Sequence, residues 1–183
     1  MALLLLLTII NGAVNYAHSS TSSPSSSRLP APANSTTDYE FLKAHNVARA
    51  AVQVGPLRWN RKLASRARRL ATETQQRSGD PASCEFSDLP STSLPYGANQ
   101  AVGNFLVKPT AVVGSWVEEA RRHYNYFHNS CDDGHESECE AYTQVVWRKT
   151  KEIGCGRANC GKDGALTICL YYPRGNIPGQ RPY

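Results

Sequence analysis

The side chains best suited to chemistry in this 183-residue chain are six cysteines and five histidines. The cysteines are Cys84, Cys131, Cys139, Cys155, Cys160 and Cys169. A structural zinc site draws on Cys or Cys/His pairs only a few residues apart, and the nearest two cysteines here are five positions apart. In an exported chain the six therefore read as three disulfides, which leaves no thiolate to act as nucleophile or ligand. Six cysteines allow many pairings, and spacing alone does not choose among them. The polar stretch His123, His128, Asp132, Asp133, His135, Glu136 and Glu138 surrounds Cys131 and Cys139. It could hold a metal ion loosely, and a solvated loop closed by a disulfide accounts for the same composition. A serine hydrolase of the elbow type would need Gly-x-Ser-x-Gly. That motif does not occur, and most serines fall in low-complexity or loop-like stretches.

These residues need elements to position them, and the texture of the chain supplies an order. An apolar run over residues 2–10 gives way to small and polar residues, the profile of a signal peptide, here residues 1–17. The run is about half the roughly 20 residues that a membrane span requires. Residues 18–38 are dominated by Ser, Thr, Pro and Ala and read as a disordered linker. The linker carries the sequon Asn34-Ser35-Thr36, which makes Asn34 the expected glycosylation site. Residues 39–183 are long enough for one domain with a single core.

Within that domain, Thr37 to Glu40 has capping-box spacing, and Phe41, Leu42, His45, Ala48 and Val52 recur at helical period. The first helix should end near Gly55-Pro56. A second helix fits residues 60–77, with Leu63, Ala67, Leu70, Ala71 and Thr74 on one stripe. Residues 78–109, rich in Gly, Pro and Ser, read as a long loop pinned at Cys84. Thr110 should cap a third helix running through Val112, Val113, Trp116, Val117 and Glu119. Tyr124, Tyr126 and Phe127 could line a groove or pack in the core. Beyond Cys139 the texture predicts strands over 142–147, 153–158 and 165–172, the last two joined by a Lys162-Asp163-Gly164 turn. Helices first and strands last predict an α+β domain with an antiparallel sheet covered by helices.

The net charge is +5, and much of it sits in Arg58, Arg61, Lys62, Arg66, Arg68 and Arg69. That run reads as a solvated helix face, with acidic wall polymers or anionic lipid heads as alternative partners. Nucleic acid is not expected, because no aromatic-studded basic motif is present.

Several motifs occur together and in order: Ala44-His45-Asn46, Pro56-Leu57-Arg58-Trp59, Tyr96-Gly97-Ala98-Asn99, Trp116-Val117-Glu118-Glu119, Tyr142-Thr143-Gln144-Val145-Val146-Trp147-Arg148 and Ile153-Gly154-Cys155. With the ending Pro173-Arg174-Gly175-Asn176 to Arg181-Pro182-Tyr183, the whole domain resembles the CAP superfamily (cysteine-rich secretory, antigen 5 and pathogenesis-related 1 proteins). The likeness is to the plant pathogenesis-related protein 1 type, with features of its flower-expressed branch. The resemblance implies a three-layer α/β/α sandwich around a central antiparallel sheet. It also implies pairing of Cys84 with Cys160, Cys131 with Cys139 and Cys155 with Cys169, and secretion to the apoplast or cell wall. The function it implies is defence against fungi or oomycetes through capture of a sterol or related lipid, and three internal disulfides make a monomer the expected state.

Many members of that superfamily carry two histidines and two glutamates in a central cleft that can hold a divalent metal. Residue by residue, His45 and Glu119 match two of those positions. Ala98 stands where the Gly-Glu-Asn motif has its glutamate, and Ala141 where a histidine precedes Tyr-Thr-Gln. Two ligands fall short of the three that a stable site takes. No metal, no other cofactor and no catalytic residue are therefore expected, and a metal-dependent hydrolase is disfavoured. His45 and Glu119 are expected as a structural contact beneath the cleft floor. The resemblance has a second implication, release of residues 173–183 as a signalling peptide by cleavage between Tyr172 and Pro173, with a receptor as its partner. On the other side of that bond, Leu170 replaces the expected Asn. A Pro- and Gly-rich tail would be flexible and open to proteases.

Overall fold

The computed structural model describes residues 35–78, 83–89, 95–118 and 120–183. The expected signal peptide, the linker through Asn34, and Glu119 lie outside the described residues.

Helix α1 (Thr36–Ala51) starts because Ser35, in extended backbone, accepts the Asp38 N–H on its hydroxyl at 3.1 Å. The cap is thus Ser35 rather than Thr37, and Thr36 to Asp38 of the expected linker are helical. The face that α1 turns inward carries Phe41, His45 and Arg49, one turn apart. Strand β1 (Arg58–Trp59) leads to α2 (Arg61–Arg77), which Asn60 caps by accepting the Lys62 and Leu63 N–H groups. Strand β2 is Gly97–Asn104, and α3 is Pro109–Val117, with Pro109 in the first turn and Lys108 in the N-cap position in place of Thr110. A short α4 (Ala120–His123), the two-residue strands β3 (Tyr124–Asn125) and β4 (Ser130–Cys131), and α5 (Glu136–Val145) follow. Strands β5 (Glu152–Cys160) and β6 (Gly164–Tyr172) close the domain.

The main sheet runs β1-β5-β6-β2. β5 and β6 form an antiparallel hairpin, β2 pairs antiparallel with the other edge of β6, and β1 adds a short parallel pair to β5. Alternation along β6 divides the core in two. Leu166, Ile168 and Leu170 pack with Ala67 and Ala71 of α2. Cys169 and Tyr171 pack with Phe41, Trp116 and Val145 of α1, α3 and α5. The result is an α/β/α sandwich. On the α2 side the contact is unusually close. A Cβ at Gly154 would lie 2.6 Å from the Asn60 carbonyl oxygen, and one at Gly156 2.4 Å from the Arg68 Cα. The disulfides join Cys84 to Cys160, Cys131 to Cys139, and Cys155 to Cys169. The last bridges directly opposed residues of β5 and β6.

The first helix also ends at Ala51, short of Gly55-Pro56, and two element assignments fail outright. Residues 142–147 were to be a strand, and Tyr142 to Val145 are the end of α5 instead. β-branched and aromatic composition loses here to tertiary context. Glu136 and Glu138 suit the helix N-terminus, and Cys139, Tyr142, Thr143 and Val145 bury one flank. Thr143 also returns its hydroxyl to the Cys139 carbonyl at 2.8 Å. The second failure is β2, which lies inside the stretch expected to be loop. Its Gly, Ala and Asn residues have little strand preference, and continuous pairing with β6 imposes the conformation.

Arg49 holds α5 in this position. Its side chain is fully buried. Nη1 donates to the Val145 and Trp147 carbonyls at 3.0 and 2.8 Å, Nη2 to Thr150 O at 3.1 Å, and Nε to Gly55 O at 2.8 Å. The Val145 oxygen belongs to the last residue of α5, and that of Trp147 follows just past its C-cap, where carbonyls otherwise lack partners and a cation is favoured. Removing the guanidinium would strand four carbonyls, so Arg49→Met should cost roughly 3–5 kcal/mol in urea unfolding. Arg49→Lys, with a single ammonium, should fall between the two. A loss below about 1 kcal/mol for Arg49→Met would contradict this assignment.

Candidate functional site

Two concavities merit comparison, the cleft that the family resemblance points to and a groove between α1 and α3. The cleft has a volume of about 450 Å³ and lies between β2, α5 and the C-terminal tail. Ala98 and Ala141, the two replaced ligand positions, both line it. Its amide side chains are committed to the fold. Gln100 clasps Ser87 through both amide atoms at 2.8 Å. Gln144 accepts the Gly175 N–H at 3.0 Å. Asn176 Nδ2 donates to Glu140 O at 2.8 Å, and its Oδ1 lies 2.8 Å from the Thr143 hydroxyl, whose single proton is shared between Asn176 Oδ1 and the Cys139 carbonyl.

His45 does not open onto this cleft. It is fully buried, and each ring nitrogen has a partner. Nδ1 lies 2.8 Å from the Phe41 carbonyl, which can only accept, so the proton sits on Nδ1. Nε2 therefore accepts from the Tyr171 hydroxyl, also at 2.8 Å. Asn99 hydrogen-bonds Tyr171 and donates to Ala141 O at 2.9 Å, which completes a chain from His45 to the cleft wall. Burial, reinforced by the nearby Arg49 charge, pushes the His45 pKa down to about 4. Burial likewise raises Tyr171 well above the usual phenol range. A neutral imidazole with both nitrogens engaged is neither a free base nor a free ligand. The residues present do not fit a cleft metal: two positions are methyl groups, and His45 is spent on the fold. Among the described residues no group of three or more metal-binding side chains is assembled anywhere.

The polar stretch near Cys131 also has a fold role. The His123 and His135 rings stack with centroids 3.7 Å apart, and His123 Nδ1 is 3.3 Å from an Asp132 carboxylate oxygen. Of the neighbouring aromatics, Tyr124 packs against the core, while Tyr126 and Phe127 are exposed.

Residues 173–183 are docked rather than loose. The Tyr172 carbonyl accepts the Lys151 N–H at 2.9 Å, and the Pro173 carbonyl accepts the Thr150 hydroxyl at 2.9 Å. At the far end Arg181 donates to the Tyr126 and Phe127 carbonyls, and Tyr183 stacks on Tyr126 with ring centroids 4.9 Å apart. Polar anchors at both ends of a Pro- and Gly-rich segment override its composition.

The groove between α1 and α3 differs in chemistry. It encloses about 590 Å³. Ala44, Ala48 and Ala51 of α1 face Gly114 of α3, and a Cβ at Gly114 would meet nothing within 4 Å. Small side chains on both helices leave the space open, and Val47, Val113 and Val117 make it apolar. Lys43, Glu118 and Arg121 supply charges to the same lining. Sequence reasoning missed this site. The clue was the run of small residues on the flank of α1 that does not face the sheet.

The family described as "CAP: Cysteine-rich secretory protein family" matches residues 42–172. The pathogenesis-related protein PRMS of Zea mays is 46% identical, over 82% of this chain and 83% of that protein. The STS14 protein of Solanum tuberosum is 41% identical over 79% of this chain, which spans 64% of that protein's length. Among solved structures, the Schistosoma mansoni venom allergen-like protein 4 superposes with a TM-score of 0.57 at 28% identity, over 81% of this chain and 94% of that one.

The His45 environment predicts a pH response. The unfolded imidazole titrates near 6.5 and the folded one at about 4. Between those values the unfolded chain binds a proton that the folded chain refuses. Stability is therefore full above about 6.5, falls as the pH drops to about 4, and levels off below, with a His45 share of at most about 3 kcal/mol. Urea unfolding between pH 7 and 4 should show this slope, and His45→Gln should flatten it. An equal slope in the variant would contradict the assignment.

Proposed function

The chain belongs to the cysteine-rich secretory protein (CAP) family, and from that premise we propose that it is a secreted defence protein of the plant pathogenesis-related 1 type that binds a sterol or related lipid. The action is binding, not catalysis, and the seat of the lipid is the α1/α3 groove. The observation that carries this reading is the contrast between the two concavities. In the cleft, Ala98 and Ala141 put methyl groups where the family pattern has ligands, and the amide side chains are already bonded. The groove is of ligand size, mostly apolar, and open because small residues face each other across it. Tyr39 and Val47, more than half exposed along it, would gain burial from an apolar ligand.

The test fills the groove without loosening the fold. Gly114→Leu places a side chain in open space and removes a helix-weakening glycine. The secreted protein should bind a fluorescent sterol or fatty acid saturably in the micromolar range. Gly114→Leu should weaken that binding on the order of tenfold or more while the melting temperature holds or rises. Binding that is absent, or indifferent to Gly114→Leu, would overturn the reading.

Release of residues 173–183 as a signalling peptide is the other reading that the family likeness suggests. Cutting the Tyr172–Pro173 bond would require the end of β6 to open, because the Tyr172 carbonyl is bonded to Lys151 N–H. The freed segment would still have to leave its seat on α5 and on Tyr126–Phe127. Mass spectrometry of secreted fluid should accordingly find the intact C-terminus. An abundant fragment of residues 173–183 would reverse the order of the two readings.

A further inference from the structure

Helix α2 carries Arg61, Lys62, Arg66, Arg68, Arg69 and Arg77 against one acid, Glu73, a net charge equal to the +5 of the whole chain. All seven side chains are exposed. The inner stripe is small, Ala64, Ala67, Ala71 and Thr74, and beneath it Gly154 and Gly156 let the helix press against the sheet. The outer face is thus held on a rigid support. Lys62, Arg66 and Arg69 follow one another at helical spacing along its centre, where like charges repel. The acids nearby do little to relieve that repulsion. Glu73 only grazes Arg69 at 4.0 Å, and Glu152 is hydrogen-bonded to Asn60 at the start of the helix. Glu85 lies beyond the other end, where Gln75 bonds its backbone. From Lys62 to Arg77 the array spans about 22 Å of straight helix.

We propose that the outer face of α2 is a docking surface for a linear acidic polysaccharide, a chain with carboxylates repeated along its length. Extended charge along one axis matches an extended polyanion. A bilayer is the poorer match, because no large apolar side chain is exposed on α2 among the described residues to insert beneath headgroups. A nucleic acid would favour aromatic side chains for stacking, and α2 has none. This surface is on the opposite side of the sheet from the α1/α3 groove, so docking leaves the groove open.

The experiment measures binding of the full chain to de-esterified polygalacturonate, to its fully methyl-esterified form, and to phosphatidylserine-containing vesicles. The proposal predicts binding to the first alone, weakening on the order of tenfold as salt rises to roughly 0.3 M. Replacing Lys62, Arg66 and Arg69 together by Gln should reduce affinity on the order of 100-fold, with circular dichroism and melting temperature unchanged. Replacing Lys108, Lys151 and Lys162 by Gln removes the same charge elsewhere and should reduce it by no more than about threefold. Equal losses in the two triple variants would mean net charge alone is at work and would overturn the proposal. Absence of polygalacturonate binding at low salt, or preference for vesicles, would overturn it as well.

Discussion

A guanidinium buried without a carboxylate organises the functional half of this molecule. Arg49 reaches from α1 to the end of α5 and satisfies carbonyls on Val145, Trp147, Thr150 and Gly55. Burial lowers its pKa to about 10, so it keeps its charge at neutral pH. The cost of burying that charge is offset only because four oxygens converge on it. Once α5 is fixed, Gln144 and Glu140 are placed to receive the tail at Gly175 and Asn176. One turn before Arg49 on the same face of α1, His45 enters the chain of bonds through Tyr171 and Asn99. The cleft wall, the tail and the inner face of α1 are thus one connected network.

That connectivity explains why the two concavities differ. The amide groups of the cleft are used by the fold itself, and with Ala98 and Ala141 in its lining no cluster of three metal-binding side chains forms there among the described residues. On α1, Phe41, His45 and Arg49 face the sheet, and the flank turned towards α3 is free to carry alanines. Those small residues keep α1 and α3 from filling the space between them. α2, on the far side of the sheet, has no share in either concavity and is free to concentrate charge.

Much of the fold was legible in the sequence, for identifiable reasons. α2 declared itself through the stripe of Leu63, Ala67, Leu70, Ala71 and Thr74 at helical period, and its observed bounds lie within a residue of the expected ones, Asn60 being its cap rather than its first residue. β5 and β6 were readable from strand-like composition and the intervening Lys162-Asp163-Gly164 turn. α5 was not readable, because Tyr142 to Val145 has strand composition and the forces that make it helical are distant in sequence, Arg49 above all. β2 was hidden for the converse reason: its composition suits a loop and its ladder partner is some 70 residues away. Of the site, Ala98 and Ala141 were legible as departures from the family pattern, and both line the cleft. The groove was not, since an open space between helices is a property of packing rather than of any motif.

The central claim, that the α1/α3 groove and not the cleft is the binding site, is tested most directly by hydrogen–deuterium exchange of the protein with and without a saturating sterol or fatty acid. Slower exchange in α1 and α3, with β2 and residues 173–183 unchanged, is the predicted result. Protection confined to β2, α5 and the tail, with α1 and α3 unaffected, would contradict it.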